Sequence, residues 1–199
     1  MTTYKTDFSF FGYLNTPGSF LFIHEALTKW FDEEPNAQFR LIVDLEAEDD
    51  CATFSELQDL YPGVKTIAVI NNPWRKLVVI YKTIKKVVEE EDRVIDSIKG
   101  FDVSNFTFES FLSQLNTPIG KWYSILTPQS KWIENANELL YVIRDDFVEE
   151  DFKSIQQYFE TDKPFDVDLI DYKSYYTEET QKLVEEQFKD DIEKFNFKF

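Results

Sequence analysis

Two hydrophobic periods alternate along this chain. Apolar runs of strand length sit at residues 8–14, 39–45, 65–71 and 139–144, each bounded by turn-forming or charged residues. Between and after them, apolar residues recur three and four apart, as on one face of a helix. Phe20, Ile23, Leu27 and Phe31 make one such stripe, over residues 19–31. Trp74, Leu77, Val78 and Tyr81 make another, over residues 73–90. Further helices are predicted at residues 149–159 and 177–195, the last with Val184, Phe188, Ile192 and Phe195 on its stripe and Thr177 as its cap. Short amphipathic segments at residues 54–60 and 107–115 read as minor helices.

The stretch 65–81 organises the rest. A β-branched run ends at Ile70, the chain turns at Asn71-Asn72-Pro73, and a helical stripe begins at Trp74. Proline suits the first turn of a helix, where its missing N–H has no intrahelical partner. Strand, turn and helix in this order open a βα unit of a parallel sheet. The expected fold is therefore α/β, a single domain over residues 1–199 with a mainly parallel central sheet flanked by helices. In such folds the turns at residues 15–19 and 71–76 share the carboxyl edge of the sheet, where ligands gather. The turn at 71–76 also presents a helix N-terminus, whose N–H groups and dipole favour anions.

Composition narrows the function classes. The chain has 199 residues with 20 Phe, 10 Tyr and 4 Trp, enough apolar material for a sizeable core and too much for a disordered chain. The formal net charge of −17 argues against nucleic acid and anionic membranes as partners. No apolar run reaches the roughly 20 residues needed to cross a bilayer, and no leading secretory pattern is read, so a cytoplasmic protein is expected. Cys51 is the single cysteine, which precludes an internal disulfide and fits a reducing compartment. No set of metal ligands stands out. Arg75, Lys76, Lys82, Lys85 and Lys86 form a basic island in this acidic chain. The last three also read as the solvated face of a helix, followed by acids at residues 89–92.

The segment Asn72-Pro73-Trp74-x-x-Leu77-Val78-x-x-Tyr81, placed after a hydrophobic strand, resembles the 3′-phosphate-binding segment of the sulfotransferase family, in its carbohydrate-sulfotransferase-like branch. Further likenesses follow in order. Asn15-Thr16-Pro17-Gly18-Ser19 lies where that family keeps its 5′-phosphosulfate loop. Residues 107–115, Pro128-Gln129-x-x-Trp132, Arg144 with Asp151-Phe152, and the helix after Tyr175-Tyr176-Thr177 resemble its later segments. The resemblance implies a P-loop-like sulfotransferase fold across the chain. It also implies 3′-phosphoadenosine-5′-phosphosulfate as sulfuryl donor and a small-molecule or carbohydrate hydroxyl as acceptor. It places Asn15, Thr16, Gly18, Ser19, Asn71, Arg75 and Arg144 at the donor. The family's loop lysine is Asn15 here, its 3′-phosphate arginine is Asn71, and its serine is Val79. Those departures leave a second reading open, a non-catalytic binding or interaction module on the same fold.

Two residues are candidates for taking the acceptor's proton. His24 is the lone histidine, beside the apolar stripe of the first helix, and Glu46 follows the strand at 39–45. Each also has a plainer reading, a packed or surface histidine and a solvated acidic loop. Arg144 likewise either faces the donor or pairs with Asp145, Asp146 or Asp151.

Overall fold

The computed structural model describes residues 11–14, 26–27, 29–30, 53–60, 62–90, 105–115, 127–138, 140–158, 160–165, 167 and 169–199. The chain divides into two compact units, Met1–Ile70 with Trp132–Asp168, and Asn71–Lys131 with Leu169–Phe199.

Among the described residues, the first unit holds a parallel three-stranded sheet in the order β1-β2-β3: β1 Phe11–Leu14, β2 Lys65–Ile70 and β3 Leu140–Arg144. Phe11 pairs with Lys65 and Leu14 with Ala68, while Thr66 pairs with Leu140 and Ile70 with Arg144. β2 is the central strand, and Thr66 to Ile70 are all buried. A central parallel strand is covered on both faces, which explains a continuous apolar run in place of alternation. Helix α1, Phe54–Leu60, leads into β2 through a turn in which Gly63 has φ 81°. That conformation is strained for any L side chain, although a Cβ there would meet nothing. Gln58 staples the turn, accepting from the Gly63 N–H at 3.2 Å and donating to the Val64 carbonyl at 2.7 Å. Trp30, buried and helical, meets Phe152 edge to face, and Phe152 stacks on Phe165 at 4.4 Å.

The described residues of the second unit include helices α2 Pro73–Glu90 and α3 Phe108–Ser113. Thr107 and Ser110 close a reciprocal capping box at the start of α3. Tyr81 of α2 packs against Phe106, Phe108 and Phe111, so the stripe on α2 is a core face.

The sheet is parallel as expected, and 65–71, 73–90 and 139–144 agree within a residue with β2, α2 and β3. The strand at 39–45, the start of the strand at 8–14, and most of the helix at 19–31 lie outside the described residues. Two long helices divide. The one expected at 149–159 appears as α4 Val148–Asp151 and α5 Lys153–Tyr158, with the turn tightened at Phe152. The one expected at 177–195 appears as α6 Glu178–Gln187 and α7 Lys189–Phe195. The break is at Phe188, φ −111° and ψ 26°, yet its N–H still reaches the Val184 carbonyl at 3.0 Å. The buried face keeps a 3–4 spacing through the break, with Asp191 on it in place of the expected Ile192. Val184 and Phe188 are buried before it, Asp191 and Phe195 after it, and Ile192 is half-buried.

Among the described residues, no helix is long and apolar enough to cross a membrane.

The start of α6 supplies a test. Thr177 accepts from the Thr180 N–H at 3.2 Å and the Thr180 hydroxyl closes the box. The Lys182–Glu178 pair on the same turn is exposed. Thr177→Ala is expected to lower unfolding free energy by about 1 kcal/mol in urea titration. Glu178→Gln is expected to change it by less than about 0.5 kcal/mol.

Candidate functional site

The turn at residues 71–76 is built around Asn72, in the second unit. Its side-chain oxygen accepts from the Trp74 N–H at 3.0 Å and the Arg75 N–H at 3.5 Å, capping α2. Pro73 follows as the first helical residue, and the Lys76 N–H closes the first helical bond on the Asn72 carbonyl at 2.9 Å. The amide nitrogen of Asn72 donates to the Tyr172 hydroxyl and to the Lys198 carbonyl, each at 3.2 Å. A side-chain amide has two N–H donors, and both are committed. Asn72 is fully buried, so each of these bonds replaces water that cannot reach it.

The neighbouring groups are also drawn inward. Asn71, 1 % exposed, gives its backbone N–H to the Gln129 side-chain oxygen at 2.9 Å. The Trp74 indole donates to the Gln181 carbonyl at 3.4 Å, and the Trp74 carbonyl accepts from the Tyr176 hydroxyl at 2.8 Å. Burial pushes the Tyr176 phenol well above its ordinary range, with a smaller contribution from Tyr172, so it stays a neutral donor. The Arg75 guanidinium lies 5.0 Å from the Tyr172 ring centre. Lys76 is completely buried, and its ammonium donates to the Thr127 carbonyl at 3.3 Å and sits 5.2 Å from the Phe188 ring.

Asp191 anchors the facing loop. This fully buried carboxylate accepts from the Gln129 and Ser130 N–H groups, each at 2.8 Å. They open a 3₁₀ turn, Gln129–Lys131, and Lys194 of α7 donates to the Ser130 carbonyl at 3.3 Å. Gln129 in turn holds Asn71. One chain of bonds therefore runs from α7 through the loop at 127–131 to the turn before α2.

Arg144 stands in the first unit, at the end of β3. Its guanidinium grips Asp151 with two bonds, Nε to Oδ2 at 2.8 Å and Nη2 to Oδ1 at 2.6 Å, and its N–H adds a third at 2.8 Å. The bond to Asp151 raises the guanidinium further above its ordinary value, against a smaller opposing effect of burial. Phe147 lies 4.2 Å from the guanidinium carbon. Of the three acids open as partners for Arg144, this grip is with Asp151. Lys82 and Lys86 are exposed, and Lys85 is half-buried and pairs with Glu89 at 3.8 Å, a solvated helix face.

The structure thus brings Asn71 and Arg75 into one turn and places Arg144 on β3. Asn15, Thr16, Gly18, Ser19, His24 and Glu46 lie outside the described residues. Asn72, Gln129, Tyr172 and Asp191 are not among the site residues expected from the sequence, yet they hold this turn and its facing loop together. Asn72 had a signal, since Asn before Pro at the start of a helical stripe is a cap. Asp191 also had one, as an acid at the 3–4 spacing Val184, Phe188, Asp191, Phe195. Among the described residues, no cluster of His, Cys, Asp or Glu could hold a metal ion.

No protein-family model matches this chain, and no curated protein matches it.

Asp191 makes the network testable. Asp191→Ala leaves two buried N–H groups without their acceptor, and a loss of about 2–5 kcal/mol in unfolding free energy is expected. Asp191→Asn, which keeps one acceptor oxygen, is expected to lose less than the alanine variant in the same denaturant titration.

Proposed function

We propose that this chain is a divergent sulfotransferase-like protein in which the segment for the donor's 3′-phosphate has become internal structure, and that it works as a binding or interaction module. The sequence likeness at residues 72–81, together with a parallel sheet whose central strand runs directly into that segment, supports the fold reading. The observation that carries the functional reading is Asn72. Its oxygen caps α2 and both its amide N–H groups bind protein acceptors. Asn71 and Val79 replace the arginine and serine that the resemblance implies. Each charge-assisted bond lost to a phosphate weakens binding by about 1.5–3 kcal/mol. Asn71 brings hydrogen-bonding capacity without charge or a guanidinium fork.

The catalytic reading has one observation of its own, the two cations Arg75 and Lys76 in the first turn of α2. Sulfuryl transfer from 3′-phosphoadenosine-5′-phosphosulfate to a hydroxyl needs the two oxygens held in line and the charge on the transferred group stabilised. Arg75 and Lys76 carry the right charge for that work, but both are buried against Tyr172, Thr127 and Phe188.

Calorimetric titration with adenosine 3′,5′-bisphosphate at low salt decides between the two. The module reading predicts no saturable heat below millimolar nucleotide. Micromolar binding by the native protein, weakened at least tenfold in Arg75→Ala, would overturn it and establish a donor site. Restoring arginine at position 71 is not a usable gain-of-function test, because that position is 1 % exposed and the added charge would be buried.

A further inference from the structure

Beyond the last turn of α7, the chain reverses. Asn196 adopts the left-handed conformation, φ 57°, and gives its N–H to the Ile192 carbonyl. Phe197 is buried and its own N–H returns to the same carbonyl at 3.2 Å. The Lys198 carbonyl then meets two donors, the Asn72 amide at 3.2 Å and the Tyr172 hydroxyl at 3.4 Å. The Phe199 ring lies edge-on to three aromatic rings, Trp74 at 5.5 Å, Tyr172 at 5.8 Å and Tyr176 at 5.4 Å. The Lys173 ammonium is 5.7 Å from its centre.

We propose that residues 197–199 act as a strap that holds the Asn72-Pro73-Trp74 turn closed. Asn72 has no third N–H to offer, so another acceptor can reach its amide nitrogen only by displacing Tyr172 or Lys198. Tyr172 is buried, whereas Lys198 is exposed. The bond to the Lys198 carbonyl is part-buried, and the Phe199 ring, held by Trp74, Tyr172 and Tyr176, is the anchor that keeps it shut. The same contact fixes the Asn72 side chain, so the cap of α2 depends on residues more than a hundred positions away. This inference deepens the module reading and rests on it, because it names the contact that closes the turn.

Amide hydrogen exchange on the full chain tests the strap. In Phe199→Ala, exchange at the Trp74 and Arg75 N–H groups, both bonded to Asn72, is expected to speed up at least tenfold. Exchange in β2 is expected to stay unchanged, which shows that the variant is folded. Phe199→Leu, which keeps an apolar side chain but loses the ring contacts, is expected to give the same pattern to a smaller extent and decides the matter if Phe199→Ala fails to fold. Unchanged exchange at Trp74 and Arg75 in a folded variant overturns the strap. The underlying reading fails differently. Micromolar binding of adenosine 3′,5′-bisphosphate to the native protein overturns the closed turn as a block to ligands, whatever the exchange shows.

Discussion

The amide of Asn72 is the bond centre on which the second unit depends. One planar group caps the start of a helix, holds a buried tyrosine and fixes the returning chain at Lys198. None of these partners alone determines where the amide points. Four bonds in fixed directions leave one orientation, and that orientation sets how α2, the Tyr172 region and residues 197–199 meet. A buried polar group of this kind stabilises only when every donor and acceptor is matched, and here the match is complete.

The same logic extends to charge. The second unit buries Arg75, Lys76 and Asp191, an unusual load for so small a core. Asp191 is offset by two backbone N–H groups, a strong arrangement for a carboxylate. Lys76 and Arg75 face carbonyl oxygen and aromatic rings. A chain of net charge −17 has few cations to spare. Two of them, Arg75 and Lys76, lie buried in the first turn of α2.

How much of this was legible in the sequence depends on the range of the interaction. β2 and α2 were readable because a continuous apolar run, a proline and a stripe at 3–4 spacing are local signals. The capping of α6 by Thr177 was readable for the same reason. The break at Phe188 was not, because the helical stripe continues through it and only the backbone at Phe188 departs from the helix. Of the neighbours Asp190 and Asp191, only Asp191 falls at the 3–4 spacing of Val184, Phe188 and Phe195, the local sign that it faces the core. Asn72 with Lys198, and Gln129 with Asp191, are long-range pairs, and a single sequence gives no register for them. For Arg144 the three candidate acids were visible, and the bidentate geometry with Asp151 settled which one it grips. The candidate residues at 15–19, His24 and Glu46 lie outside what the structure describes.

The central claim is that Asn72 and Tyr172 are coupled parts of one structural bolt. A double-mutant cycle of Asn72→Ala and Tyr172→Phe, read by denaturant unfolding, tests it most directly. The account predicts a coupling of about 1–2 kcal/mol, the double variant losing less than the sum of the single ones. Strict additivity, with no coupling beyond the error of the titration, would contradict it.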